Sequence, residues 1–250
     1  MVRLMRQLWL ILGVALASCI LASASHCPHL FCNSLRATEG PKPPVVAHPL
    51  PPSLAQWHSE KESGDYFERV QPSEVGYLVW SSFPIKIYLD PSSGDGRGQE
   101  WRKAVWLGVV QWQVYLPLKV VERQEMADIT IKRKNPPLQL GPNGELGRVR
   151  AGSTRFELYY NASGILSHKF IIWLSPNQTS EYTTATARHE MGHALGIWGH
   201  SPDQRDVMYF SQVRYPPEIS ARDVNTLKRV YQQPTRLGWQ KTMLQKHFEF

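Results

Sequence analysis

Two histidines four residues apart, His189 and His193, are the residues of this chain best spaced to do chemistry. On a helix that spacing puts both imidazoles on one face, one turn from each other. Two nitrogens so placed can bind one Zn²⁺, and Glu190 stands beside them to act on a water at the metal. Three residues after His193 comes Gly196, where a helix can end in a left-handed turn that reverses the chain. His200 lies just beyond the turn and is available as a third ligand. Three neutral imidazoles leave the fourth tetrahedral position to water, whose pKa falls towards about 7. Glu190 is then the expected general base. The plain alternative is a helix with two packed histidines and no metal.

The elements that must position these residues are legible around them. Tyr182, Ala185 and Thr186 continue the His189 face, and Asn177, Thr179 and Ser180 offer capping groups for a helix start. Ser220-Ala221-Arg222-Asp223 is a capping box that opens a second helix through Val224, Leu227, Val230 and Tyr231. That helix is expected to pack behind the site, with Asp223 as a cap rather than a catalyst. Upstream, Phe83 to Asp90 alternates apolar and polar residues and stops at Pro91, which predicts a strand. Gly94, Gly96 and Gly98 read as a loop. Gln99 to Tyr115 places Trp101, Ala104, Val105, Gly108, Val109 and Trp112 at three- and four-residue steps, an amphipathic helix. Leu118–Glu122, Ile129–Lys132, Thr154–Tyr160 and Lys169–Leu174 read as four further strands, the last a short apolar run suited to a sheet centre. The expected fold class is α+β, a twisted mixed sheet of about five strands with an active-site helix and a C-terminal helix.

With Met208 eight residues after His200, within Asp206-Val207-Met208-Tyr209, the sequence resembles the metzincins, and within them the matrixin-like zinc endopeptidases. The resemblance spans roughly residues 76 to 231 and is specific only from Arg188 to Tyr209. It implies His189, His193 and His200 as zinc ligands, Glu190 as general base and Met208 as the Met-turn residue beneath the metal. The family motif puts its third histidine three residues after the glycine. Here that position is Gly199, which has no side chain to ligate, so His200 takes the role. Gly199 is expected to absorb the extra residue in a chain that is no longer helical. A cysteine switch and a His-rich loop for a second zinc, both family features, are missing. Asp90, Asp95 and the 141–147 loop have residue types that can bind Ca²⁺, and turn chemistry accounts for them as well. Tyr209 is expected to pack as an aromatic, with oxyanion stabilisation as its other role. An extended peptide is the expected substrate, lying along a sheet edge such as the Thr154–Tyr160 strand.

The rest of the chain bounds the setting. The 250 residues carry 28 Lys and Arg against 21 Asp and Glu, a formal charge of +7, with 42% hydrophobic residues. Such a chain can bury a core, which excludes a disordered tail, and its negative mean hydropathy excludes a multi-span membrane protein. The basic residues are spread without a stripe beside an aromatic platform, so nucleic acid is not an expected partner. Residues 1–24, with Arg3 and Arg6 before an apolar run from Leu8 to Leu21, read as an export signal. A retained membrane anchor is the alternative, and Leu16-Ala17-Ser18-Cys19 resembles a lipobox. Cys27 and Cys32 are a candidate disulfide or two idle thiols. Residues 25–75, rich in proline, read as a linker, with a proline-rich edge of the main domain as the alternative at Trp57 and Tyr66. Residues 76–233 read as the catalytic domain and 234–250 as a basic, solvated tail, with a partner or membrane-surface contact as its alternative. An exported monomeric enzyme is expected; an inactive zinc-binding domain and a basic envelope-binding module are the rival readings.

Overall fold

Five stretches with apolar alternation or a continuous apolar run form one twisted sheet, in a computed structural model that describes residues 42–59, 62–91, 95–138, 143–144, 147 and 150–241. The strands are β1 (Ile85–Leu89), β2 (Leu118–Val120), β3 (Ile129–Arg133), β4 (Gly152–Tyr160) and β5 (Leu166–Leu174). Their order is β2-β1-β3-β5-β4. The first four in that order run parallel, and β4 returns antiparallel along β5 with Gly152 opposite Leu174 and Tyr160 opposite Leu166. β5 sits inside the sheet, and every second residue from Leu166 to Leu174 is buried. β4 is an edge strand and carries no fully buried residue. A mixed sheet of five strands with flanking helices is the layered architecture expected.

Four α-helices accompany the sheet among the described residues: α1 (Pro52–Gln56), α2 (Gly96–Val110), α3 (Ser180–Leu195) and α4 (Ala221–Tyr231). The buried residues of α2 are Gly98, Trp101, Ala104, Val105, Gly108 and Val109, the stripe that the sequence spacing requires. The helix starts three residues earlier than expected. Asp95 accepts a hydrogen bond from the Gly98 amide at 2.6 Å, and this cap draws Gly96 and Gly98 out of the anticipated loop into the first turn. Thr179 caps α3 by accepting from the Tyr182 amide. α3 lies against α2 on one side and against β4 and β5 on the other, so its His189–His193 face is framed by the sheet edge.

The linker expected over 25–75 is corrected from residue 42 onward. Leu54, Tyr66, Phe67, Val70 and Val75 are buried in the same core as the strands. Trp57 Nε1 donates to Asn225 of α4, the Tyr66 hydroxyl donates to Asp223, and Arg229 pairs with Asp65. Proline spacing suggests an extended spacer, whereas the segment contains α1, a short 3-10 turn at Phe67–Arg69 and isolated bridges at Val46 and Val70. Isolated apolar anchors along it, without helical or strand periodicity, bind it to α4. The tail is corrected likewise: Thr235 and Leu237 are buried, and Val46 and Thr235 exchange two backbone hydrogen bonds. The expected export signal, Cys19, Cys27, Cys32, part of the 141–147 loop and residues 242–250 lie outside the described residues. No helix among the described residues is long and apolar enough to cross a membrane.

Candidate metal centre

α3 presents His189 and His193 from its last two turns, with ring centroids 4.8 Å apart. The helix then ends as the glycine spacing requires. Gly196 takes φ +130°, the Ile197 amide donates to Gly192 and the Gly196 amide to His193, which closes the helix and turns the chain back. His200, on the returning segment, comes to 4.8 Å from the His193 ring and 5.3 Å from the His189 ring. Each of the three imidazoles offers a nitrogen, and these nitrogens all lie within 4.8 Å of one another. Three residues meant to meet therefore do meet.

Gly199 has a different role from the one expected. Its φ is not left-handed; a side chain there would run into the backbone of Arg69 and Val70, which pairs with Gly199 as an isolated bridge. Glycine at this point lets residues 69–71 close over the turn, with the Gln71 amide donating to the Trp198 carbonyl at 2.9 Å.

The protonation states suit a metal. His189 Nδ1 is 2.8 Å from the Val207 carbonyl oxygen, and His193 Nδ1 is 2.8 Å from that of Ile197. A carbonyl can only accept, so both Nδ1 atoms carry the hydrogen and both Nε2 lone pairs are left for coordination. Burial lowers the pKa of His189, and burial with the neighbouring rings holds His193 well below the usual range. Desolvation, then the charges of His189 and Arg150, bring His200 down to about 4. All three are neutral ligands near pH 7.

Glu190 is buried beside them. Burial pushes its pKa up to about 7, against the pull of Thr154 and Arg150. The Thr154 hydroxyl donates to Glu190 Oε2 at 2.6 Å, so edge strand β4 fixes the carboxylate's orientation. Met208 is fully buried under the cluster, and a Cβ added at Gly192, between the two helix histidines, would overlap its sulfur.

Two buried acids hold the loop in place. Asp223, 0% exposed, caps α4 as expected and reaches further, accepting from the Val207 amide at 2.9 Å and the Met208 amide at 3.4 Å. Asp206, 1% exposed, accepts from Ser201 Oγ at 2.5 Å, Ser220 Oγ at 2.7 Å and Arg222 Nε at 3.0 Å. The Ser201 amide donates to the Met208 carbonyl, so the His200 and Met208 strands of the loop are tied together. Sequence reasoning misses the parts played by Asp206 and Thr154. Asp206 has a local signal, its place two residues before Met208; Thr154 has none, because its partner is distant in the chain. The candidate calcium acids serve the backbone instead, Asp95 at the α2 cap and Asp90 as acceptor for the Arg133 amide.

The cluster lines an open cleft of about 1090 Å³, walled by Gly152–Thr154 of β4 on one side and Tyr209–Val213, Pro216 and Pro217 on the other. Tyr209 lines the cleft with its ring 4.5 Å from that of the exposed Phe210. Comparison of the chain with known protein families and with curated proteins gives no match.

Proposed function

We propose that this chain is an exported zinc-dependent endopeptidase of the metzincin, matrixin-like kind. The observation that carries the reading is the convergence of three neutral imidazoles, with the carboxylate of Glu190 beside them, in an open cleft. An all-imidazole set, with His189 and His193 held by backbone carbonyls, suits Zn²⁺, and His189, His193 and His200 would hold it. Bound there, zinc supplies Lewis acidity that acidifies water and polarises a peptide carbonyl. Glu190, tuned near neutrality, accepts the proton of the attacking water and returns it to the leaving amine. Thr154 holds that carboxylate towards the cleft, and Met208 supports the helix face from below. Among the described residues β4 has no strand on its outer side, so an extended peptide can add to it by backbone pairing.

The test uses the purified mature chain on an unfolded protein substrate. Cleavage is expected, abolished by a chelator and restored by zinc. Glu190→Ala is expected to keep one zinc per chain and to lose 10²–10⁴-fold or so in turnover. Full activity in that variant sinks the mechanism. Bound zinc without cleavage by the unaltered chain replaces the peptidase reading with that of an inactive zinc-binding domain. Mass spectrometry of the exported chain's N-terminus tests the signal over 1–24 and any lipid on Cys19.

A further inference from the structure

The cleft carries a charge that hydrolysis at the metal centre does not require. Arg150 stands two residues before β4, exposed, and lines the same cavity as His189, Glu190 and His200. The acids on that lining are otherwise occupied. Glu190 is bound by Thr154, and Asp206 is buried and held by Ser201, Ser220 and Arg222. No ion pair or hydrogen bond engages the Arg150 guanidinium among the described residues. Glu218, next in the chain to the cleft residue Pro217, is paired with Arg188.

The position is electrostatically close to the chemistry. Arg150 shares the cleft lining with Glu190 and His200. A guanidinium stays charged at any working pH and presents a planar fork that matches a carboxylate through two parallel hydrogen bonds. In a cleft walled by low-dielectric protein such a charge acts more strongly than on an open surface.

We propose that Arg150 is a specificity-determining residue that selects peptides bearing a carboxylate beside the bond presented to the metal centre. The Asp or Glu side chain of the peptide takes the fork of Arg150 while its backbone lies along β4. What is cleaved rests on the peptidase reading; what is bound rests on the cleft and Arg150 alone.

The experiment uses the zinc-loaded full chain and short fluorogenic peptides identical except at one central position, carrying Asp, Glu, Asn, Gln or Lys. Each is made with a free and with an amidated C-terminus, so a side-chain carboxylate is distinguished from a terminal one. The kcat/KM ratio of acidic to neutral peptides is expected to be about tenfold or more, and to shrink at high salt. Arg150→Ala is expected to collapse that ratio towards one, and Arg150→Glu to reverse it in favour of Lys. A preference that follows the free C-terminus and ignores the central residue overturns the assignment to internal acids. A ratio of one in the unaltered chain, or one unmoved by both substitutions, overturns the proposal. If no peptide is cleaved, fluorescence anisotropy of the same peptides decides. Acid-selective binding that Arg150→Ala abolishes supports the carboxylate site and leaves only the peptidase reading refuted. Binding indifferent to peptide charge overturns both.

Discussion

Helix α3 and the segment from Gly199 to Tyr209 furnish the same centre by opposite means. On α3 the placement of His189 and His193 is set by the helical repeat; His193 is fixed by the Ile197 carbonyl four residues on, while His189 already leans on the loop through the Val207 carbonyl. In the returning segment no repeat sets anything. His200 is where it is because Ser201 bonds to Met208, because Asp206 gathers Ser201, Ser220 and Arg222, and because Asp223 reaches back from α4 to the amides of Val207 and Met208. The helix backbone positions two of the three imidazoles, and buried carboxylates, one of them from a later helix, hold the segment that brings the third.

The largest effects test that division at the ligands themselves. His193→Ala removes the ligand whose ring is central to the other two, and is expected to abolish stoichiometric zinc binding in a competition titration. His200→Ala leaves α3 and its two nitrogens intact, so weak zinc binding survives, reduced by well over 100-fold or so, given that even supporting residues matter by about 10–100-fold. Zinc affinity unchanged by His200→Ala would show that the loop supplies no ligand, and the two-part picture would fail.

Asp223 is next. If it were only a cap, Asp223→Ala would cost about 1 kcal/mol and leave the metal alone. Its carboxylate also satisfies Tyr66 and two amides of the loop, all buried. Stranding them is expected to bring the loss to roughly 3 kcal/mol by denaturant unfolding, with about tenfold weaker zinc binding. A 1 kcal/mol loss with full zinc affinity would reduce Asp223 to a cap.

The same contrast governs what is legible in the amino-acid order. The strands, the α2 stripe, the α3 ligands, the Gly196 turn and the α4 capping box follow from short-range periodicity and spacing, and the folded chain has them at those places. The segment from residue 42 to 75 reads as a linker because Leu54, Tyr66 and Val70 anchor it at irregular intervals, and the partners of Tyr66 in α4 lie some 160 residues away. Thr154 escapes notice for the same reason, since Glu190 is 36 residues on, and the reach of Asp206 to Ser220 and Arg222 is hidden likewise, although its place beside Met208 is a local signal. The cleft wall at Arg150 is a matter of tertiary approach as well.

Where the two halves touch, at Gly192 and Met208, a smaller effect is expected with an informative sign. An exposed helical Gly→Ala change stabilises by up to about 1 kcal/mol. Here the new methyl would meet the Met208 sulfur and the Trp112 ring. Gly192→Ala is therefore expected to destabilise by about 1–3 kcal/mol, and Met208→Ala in the same chain to recover part of it. A stabilised Gly192→Ala chain would mean that helix and loop are not in packing contact beneath the ligands.

An effect that is smallest at neutral pH and grows with acid separates these histidines from one that serves only packing. His168, on β5, is buried against Trp80 at 4.0 Å between ring centroids, and its Nε2 has no partner among the described residues. Burial brings its pKa down to about 3, so the folded chain binds its proton less readily than the unfolded chain does. Its neutral form contributes stability that is present above pH 6.5 or so and is lost as pH falls towards 3. His168→Phe cannot take up that proton. Its melting temperature relative to the unaltered, zinc-loaded chain is expected to improve steadily between pH 7 and 4, while metal release at the centre shifts little. A constant difference across that range would mean that His168 is already solvated, and that acid sensitivity resides wholly in the ligand histidines.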